Sequence, residues 1–366
     1  MTSKDHDLEI IKESLRHYTC FSTGNDVVVE GDSLSMLRLM PSKSVSLVLT
    51  DPPYHSTKKG NIYGDTNFAE DQHFLDWMQE YVVEWRRVLR SNGSLFCFCS
   101  SEMAARLEML FANHFNVLSQ VVWTKPNEPG FDGWKGKMKK EALRQWYPHS
   151  ERIIFAEPAV EGNLHRSAFA EFLRTMRKQS GLSMHELTAL VGAHGKVNHG
   201  GAVSNWEAGR NTPSREQFEK ICKAILATGR VDWMPPYEEA IRVFRVDGSK
   251  EFTDVWNFPS VRPYEGKHPA EKPALLLEHA IEATTFPGDV VLDCFAGSGS
   301  TALAALTLGR RTVSIEIEPQ WVNRIASRIK TASRSATEPT ERRVEASSTT
   351  QSRKSDQLTL LETIGN

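Results

Sequence analysis

Asp51, Pro52, Pro53 and Tyr54 follow directly on the apolar run Leu47-Val48-Leu49-Thr50. A carboxylate, two prolines and a phenol ring thus stand where a strand-like segment must stop, because proline cannot continue a sheet ladder. The prolines fix φ and stiffen the turn, so carboxylate, backbone carbonyls and ring face one small space. That set suits a flat ring bearing an amino group. Asp51 and a proline carbonyl accept hydrogen bonds from the amine, and Tyr54 stacks on the ring face. Taken alone, a Pro-Pro turn can simply end a strand.

A second group of chemistry-bearing residues lies far downstream. Val290 to Asp293 reads as a strand, Gly297-Ser298-Gly299 as a turn, and Thr301 to Leu308 as an alanine- and leucine-rich helix. Missing side chains let a backbone approach a ligand closely, and a strand before and a helix after strengthen an otherwise weak Gly-x-Gly signal. The next strand, Thr312 to Ile317, carries Glu316, 23 residues past Asp293. An acid at that distance binds ribose hydroxyls in nucleotide-binding α/β folds. Near the N-terminus, Val27-Val28-Val29-Glu30-Gly31-Asp32 reads as a strand closing on Gly-Asp.

Asp51-Pro52-Pro53-Tyr54 resembles the catalytic tetrapeptide of the DNA amino-methyltransferases, which methylate adenine N6 or cytosine N4. The segment Asp289 to Thr301 resembles the S-adenosylmethionine loop of the same enzymes. Catalytic motif first and cofactor loop second is the order of their beta group. The resemblance implies a circularly permuted, Rossmann-like α/β methyltransferase sheet with an inserted all-helical module. It implies Asp51, Pro52, Pro53 and Tyr54 as catalytic residues. For S-adenosylmethionine it implies Asp293, Phe295, Gly297, Gly299 and Glu316 in the loop half, with Asp32 at the adenosine end. Lys272 and Pro273 join them, because His268-Pro269-Ala270-Glu271-Lys272-Pro273 is similar to a family segment beside the methionine portion. The glycine run lacks the third glycine of a dinucleotide fingerprint, which favours this cofactor over NAD. Methylation of cytosine C5 needs a cysteine after a proline, and none of the five cysteines follows one.

Two further segments point to DNA. Lys135, Lys137, Lys139, Lys140 and Arg144 interleave with glycines and Trp134. Basic residues beside a catalytic cleft supply sequence-independent affinity for phosphate, although a solvated loop has the same composition. Met176 to Pro213 resembles a Cro/repressor-type helix-turn-helix, with capping boxes at Ser183/Glu186 and Ser214/Gln217. That resemblance places Ser204 and Asn205 on the helix entering the major groove. The link Gly192 to Gly201 is longer than the usual tight turn, and a helical insert without DNA contact is the plain alternative.

The remaining elements position these groups. The expected organisation is an N-terminal extension over 1–19, a catalytic half over 20–160 and a helix-turn-helix-like insert over 161–230. A return segment with the cofactor half covers 231–331, and a disordered tail covers 332–366. Within the catalytic half, Phe74, Trp77, Met78, Tyr81 and Trp85 space as a core-facing helix stripe. Ser91-Asn92-Gly93 is expected to break that helix before a strand from Ser94 to Cys99, and His55 to Phe68 to form a lid-like loop. Gln357-Leu358-Thr359-Leu360-Leu361 resembles the peptide by which bacterial proteins dock on the replication sliding clamp; a frayed terminal helix is the simpler reading.

Bulk properties agree. At 366 residues, 40% hydrophobic and 25% charged, the chain has the composition of a soluble globular protein. A net charge of -2 confines any polyanion contact to local patches. There is no apolar run of the length of a membrane span and no signal-like N-terminus, so a cytoplasmic protein with reduced thiols is expected. The twelve histidines form no ligand-spaced cluster, and no metal is expected. The expected partner is double-stranded DNA; a homodimer is left open. The function so implied is site-specific methylation of adenine N6 on a flipped base, preferred because the tetrapeptide opens with Asp. N4-cytosine methylation is the alternative, and a DNA-binding regulator with an inactive methyltransferase body is the competing class.

Overall fold

The computed structural model describes residues 3–55, 68, 70–125, 141, 144, 146, 149–160, 167–193, 201–246 and 252–337. In the first half the order is α1 (Ser3–Leu15), β1 (Thr19–Ser22), β2 (Asp26–Glu30), α2 (Ser33–Leu39), β3 (Val45–Thr50), α3 (Asp71–Val88), β4 (Leu89–Cys99), α4 (Ala104–Phe111), β5 (Phe115–Thr124) and β6 (Ser150–Pro158). Five helices follow: α5 (Ala168–Ser180), α6 (Met184–Val191), α7 (Gly201–Glu207), α8 (Arg215–Leu226) and α9 (Tyr237–Ala240). The chain then returns through β7 (Val255–Asn257), α10 (Ala274–Thr284), β8 (Val290–Asp293), α11 (Ser300–Thr307), β9 (Arg311–Glu316) and α12 (Pro319–Thr337).

The strands form one sheet in the order β1-β2-β9-β8-β3-β4-β6-β5-β7. Its centre, β2-β9-β8-β3-β4, is parallel throughout. The strands leading to Asp32, Glu316, Asp293 and Asp51 are therefore neighbours with their carboxyl ends on one side. Burial on both faces explains why they read as runs of valine, isoleucine and leucine rather than alternating patterns. One face packs on α3, whose Phe74, Met78, Tyr81, Val82, Trp85 and Val88 are buried, each contributing about 1.5–3 kcal/mol of transfer free energy. The opposite core includes Leu276, Leu277 and Ile281 of α10 with Leu47 and Leu49 of β3.

Three expectations are corrected. Ser91-Asn92-Gly93 does not separate helix from strand, because α3 ends at Val88 and β4 already begins at Leu89. The register moves from Val45↔Leu89 to Leu47↔Ser94, so the surplus residues are absorbed as an irregularity inside the strand. Residues 1–19, expected as an N-terminal extension, pack with the main domain: Leu8, Ile11 and Leu15 of α1 lie in the main core, and β1 pairs with β2. Residues 332–337, assigned to the tail, are helical as the end of α12. The clamp-like peptide at 357–361 and most of the lid segment lie outside the described residues. No helix among the described residues is long and apolar enough to cross a membrane.

Helices α5 to α9 close on a core of their own, with Phe169, Leu173, Leu187, Val203, Trp206, Phe218 and Ile221 buried. Both capping boxes are present, at Ser183/Glu186 and Ser214/Gln217. Arg177 of α5 grips Glu207 of α7 through two bonds, Nε to Oε1 and Nη2 to Oε2, the second 3.0 Å long. Both side chains are about nine-tenths buried, so each charge depends on the other. Replacing Glu207 by alanine strands the guanidinium and is expected to cost the module about 3 kcal/mol. Hydrogen exchange should then accelerate across α5 to α8 while β3, β4 and β8 keep wild-type protection; acceleration throughout the sheet would mean that module and sheet unfold as one.

Candidate active site

The parallel centre determines where the side chains meet. β3 pairs with β8 through Leu47↔Val291 and Val48↔Leu292, which sets the turn after β3 beside the turn after β8. Thr50, the last residue of β3, donates from Oγ1 to Asp293 Oδ1 over 3.0 Å. Past the strand ends lies a cavity of about 590 Å³. It is lined by Asp51, Pro52, Pro53 and Tyr54 on one side and by Asp293, Phe295, Gly297 and Glu316 on the other, with Asp32 and Lys272 also in its wall.

On the β3 side the groups form a closed charge network. The Tyr54 hydroxyl is 2.9 Å from Asp51 Oδ1 and 3.2 Å from Glu151 Oε2. Lys272 Nζ donates to Asp51 Oδ2 and stands 3.6 Å from Glu151 Oε2. Lys125 Nζ pairs with Glu151 Oε1. Burial raises the Asp51 pKa, and the Lys272 ammonium only partly offsets this. Burial pushes Glu151 the same way, but Lys272 and Lys125 outweigh it and hold its carboxyl below the ordinary range. The Lys272 ammonium is opposed by burial, yet Asp51 and Glu151 prevail and raise its pKa. Burial, then Asp51 and Glu151, push the Tyr54 phenol well up, so it stays a hydrogen-bond donor.

On the β8 side the glycine turn is shaped by close approach. Gly297 has φ +49°, and a Cβ there would meet the His268 ring at 3.1 Å. Its N–H donates to Glu316 Oε2 over 2.7 Å, while Glu316 Oε1 accepts from Ile317 and Glu318 N–H. Burial raises the Glu316 pKa, and these three amides work against it. Gly299, with φ +79°, is the N-cap of α11, and Pro273 is the N-cap of α10; neither lines the cavity, and both fix how their helices begin. Phe295 rests on Tyr81 and Trp77, with ring centroids 5.2 and 5.9 Å apart. Asp32 accepts from Ser35 N–H at 2.9 Å as the N-cap of α2.

A cavity of this size, walled by aromatic rings and carboxylates and bordered by a glycine turn packed tightly against the His268 ring, fits a nucleoside-bearing cofactor. Glu316 and Asp32 bring carboxylate oxygens to its wall, and Phe295 brings an apolar ring. Among the described residues no His/Cys/Asp/Glu group is arranged to hold a metal ion.

Glu151 and Lys125 had no signal of their own in the sequence. Glu151 reaches the cavity because β5 and β6 pair antiparallel, with Trp123 opposite Glu151. The Lys-Pro pair did single out Lys272, but not its bond to Asp51. Of the DNA-facing candidates, Arg144 is exposed, whereas Lys135, Lys137, Lys139 and Lys140 lie outside the described residues. Ser204 and Asn205 are half-buried on α7, where Asn205 Oδ1 accepts from Arg210 over 3.1 Å.

A sheet with a parallel centre, and with a glycine turn and a carboxylate turn meeting past the carboxyl ends of neighbouring strands, is a Rossmann-like ligand-binding architecture. Residues 45–327 match the N6/N4 DNA methylase family, and the chain belongs to it. It is thus a DNA amino-methyltransferase, and its methyl donor is S-adenosylmethionine. The chain is 27% identical over 319 residues to the DNA adenine methyltransferase YhdJ of Escherichia coli (strain K12), covering 86% of each. It is 22% identical over 310 residues to the type II methyltransferase M2.MboI of Moraxella bovis, covering 81% of this chain and 84% of that one. In fold it is similar to the PvuII cytosine-N4-specific DNA methyltransferase, with a TM-score of 0.50, 19% identity, and 84% and 88% of the two chains covered.

One consequence concerns Asp293. Burial lifts its carboxyl from the usual 3.8 to about 6, against hydrogen bonds from Thr301, the Phe295 amide and Thr50. Its folded-state pKa exceeds the unfolded one, so its contribution is most favourable below about pH 4 and is lost as pH rises through about 6. Two pKa units amount to roughly 3 kcal/mol. Urea unfolding at pH 4 and pH 7.5 should show wild type losing about that much relative to Asp293→Asn across the interval. Parallel pH profiles for the two proteins would refute the shift.

Proposed function

We propose that this enzyme methylates the exocyclic N6 amine of adenine at a specific site in double-stranded DNA. The observation that carries the reading is the Asp51 carboxylate beside Tyr54 at the end of β3, in one cavity with Gly297 and Glu316. S-adenosylmethionine, when bound, supplies an electrophilic methyl on a positively charged sulfur, which a neutral amine takes by direct displacement.

Everything else falls to the chain. Glu316 and Asp32 hold the nucleoside end of the cofactor, Phe295 packs against it, and Gly297 leaves room for it. The aromatic amine is a weak nucleophile because its lone pair is delocalised into the ring. Asp51 and a proline carbonyl accept its hydrogens, favour rehybridisation and aim the lone pair. The raised pKa of Asp51 makes it a better acceptor for the proton the product must lose. Extrusion of the base costs a few kcal/mol, and Tyr54 replaces part of the lost stacking.

Aspartate at position 51 and the likeness to an adenine methyltransferase support adenine over cytosine. The late position of the cofactor half, with β8 and β9 inserted between β2 and β3, supports a circularly permuted chain. For the module we read Ser204 and Asn205 of α7 as base contacts and the basic segment 135–144 as phosphate contacts.

The test is long-read sequencing of plasmid DNA from cells expressing wild type or Asp51→Ala. N6-methyladenine at one short motif is expected, and none with the variant. N4-methylcytosine would replace the adenine reading, and no modified base would end the methylation reading. Ser204→Ala with Asn205→Ala should spread or abolish methylation at the motif while leaving cofactor affinity within about twofold; an unchanged motif and yield would remove α7 from recognition.

A further inference from the structure

Lys272 occupies an unusual place for a residue beside a cofactor. Its ammonium sits on Asp51 Oδ2, while Tyr54 holds Oδ1. Both oxygens of the carboxylate that should receive the base amine are therefore engaged, inside a pocket where the Asp51 and Lys272 side chains are only 17% and 9% exposed. An ammonium presents to a carboxylate the same N–H donors that the amine would present. While it stays, it also neutralises the charge that must polarise the amine.

The ammonium has somewhere else to go. Glu151 Oε2 is 3.6 Å from Nζ and 3.2 Å from the Tyr54 hydroxyl. Phe98 and Tyr54 offer ring faces to the same ammonium, at 5.0 and 5.6 Å. Glu151 is anchored by Lys125, so it keeps its position whether or not Lys272 leans on it. A buried lysine cannot simply leave Asp51, because an unpaired buried charge is costly. A second carboxylate within a short swing keeps two anions and two cations together in either arrangement.

We propose that the Lys272 ammonium is a stand-in for the target amine on Asp51, and that Glu151 is the positioning residue that receives it when the base enters. This rests on the amine-methylation reading. Asp51 is then held in an accepting geometry without a base, and a base lacking the amine cannot displace the lysine.

The test compares wild type, Glu151→Gln, Glu151→Asp and the double variant Glu151→Gln/Lys272→Met on a duplex carrying the methylated motif. Affinity is measured with sinefungin, an unreactive analogue of the methyl donor, for the normal duplex and for one whose target base lacks only the amino group. The ratio of the two dissociation constants reads what the amine contributes, and single-turnover rates are taken in parallel. Wild type should favour the amine about fivefold to tenfold. Glu151→Gln should bring the ratio close to one and slow the reaction about tenfold, because the lysine stays on Asp51. Glu151→Asp, which keeps the charge, should stay within about threefold of wild type.

The double variant leaves one anion and one cation and, read at saturating sinefungin because Lys272 also borders the cofactor cavity, should recover the ratio. Recovery by a second substitution is not what lost packing would produce, and a cooperative thermal melt confirms that each variant is folded. A double variant no better than Glu151→Gln, or Glu151→Gln with the wild-type ratio and rate, overturns the role while methylation stands. A wild type that modifies no amino group overturns the function and this role together.

Discussion

The parallel pairing of β3 with β8 is the constraint from which the site follows. These strands lie more than 240 residues apart in the chain, as Leu47↔Val291 shows, so their contact is set by tertiary packing alone. Parallel strands present their carboxyl ends on the same side, and the turns after them must share whatever space lies beyond. A slip of one residue would send Val48 and Leu292, both fully buried, to the opposite face of the sheet. Register here is therefore specified by burial on two faces, and the meeting of Asp51 and Asp293 in one cavity is its by-product. The bond from Thr50 to Asp293 spans the junction and ties the carboxylate turn to the glycine turn.

That meeting has an electrostatic consequence. Asp51, Glu151, Asp293 and Glu316 all line one largely desolvated cavity, and each is treated differently. Glu316 is satisfied by three backbone amides, so its carboxylate is held by dipoles rather than by a cation. Asp293 has hydroxyl and amide donors but no cation, and burial wins. Asp51 and Glu151 divide Lys272 and Lys125 between them, and Glu151, with two cations, is the one held low. The cavity thus separates an amide-lined end, suited to neutral hydroxyl and amino groups, from an ion-paired end where a charge-sensitive reaction can be steered.

What was legible in the sequence follows from which interactions are local. The Asp-Pro-Pro-Tyr turn and the Asp-Cys-Phe-Ala-Gly loop are each contiguous, so residue type marked them as a strand end and a turn, while the expectation that they share one site came from the family resemblance. The α3 stripe and both capping boxes were legible for the same reason, since helix periodicity and i,i+3 reciprocity are short-range. Glu151 was not, because only an antiparallel register 28 residues wide carries it to Trp123 and the cavity. The start of β4 was misjudged through Ser91-Asn92-Gly93. A turn-forming triplet there becomes an irregularity in a strand once its neighbours on β3 are in place. Residues 1–19 carried the spacing Leu8, Ile11, Leu15 of a buried helix face, outweighed by their charged composition.

The helical module adds one more step. It has its own core, yet Asn92 donates from Nδ2 to the Glu238 carbonyl over 2.8 Å and to the Ile241 carbonyl over 3.2 Å, pinning α9 to the irregular start of β4. The same strand ends at Phe98 and Cys99, and Phe98 lines the cavity. Asn92 lies in the irregular stretch between Leu89 and Ser94, and Phe98 lies six residues further along the same strand. The side chain that anchors the module and the ring that walls the cavity thus belong to one strand. The module keeps a core of its own, while this contact with β4 runs through Asn92 and the two carbonyls it grips.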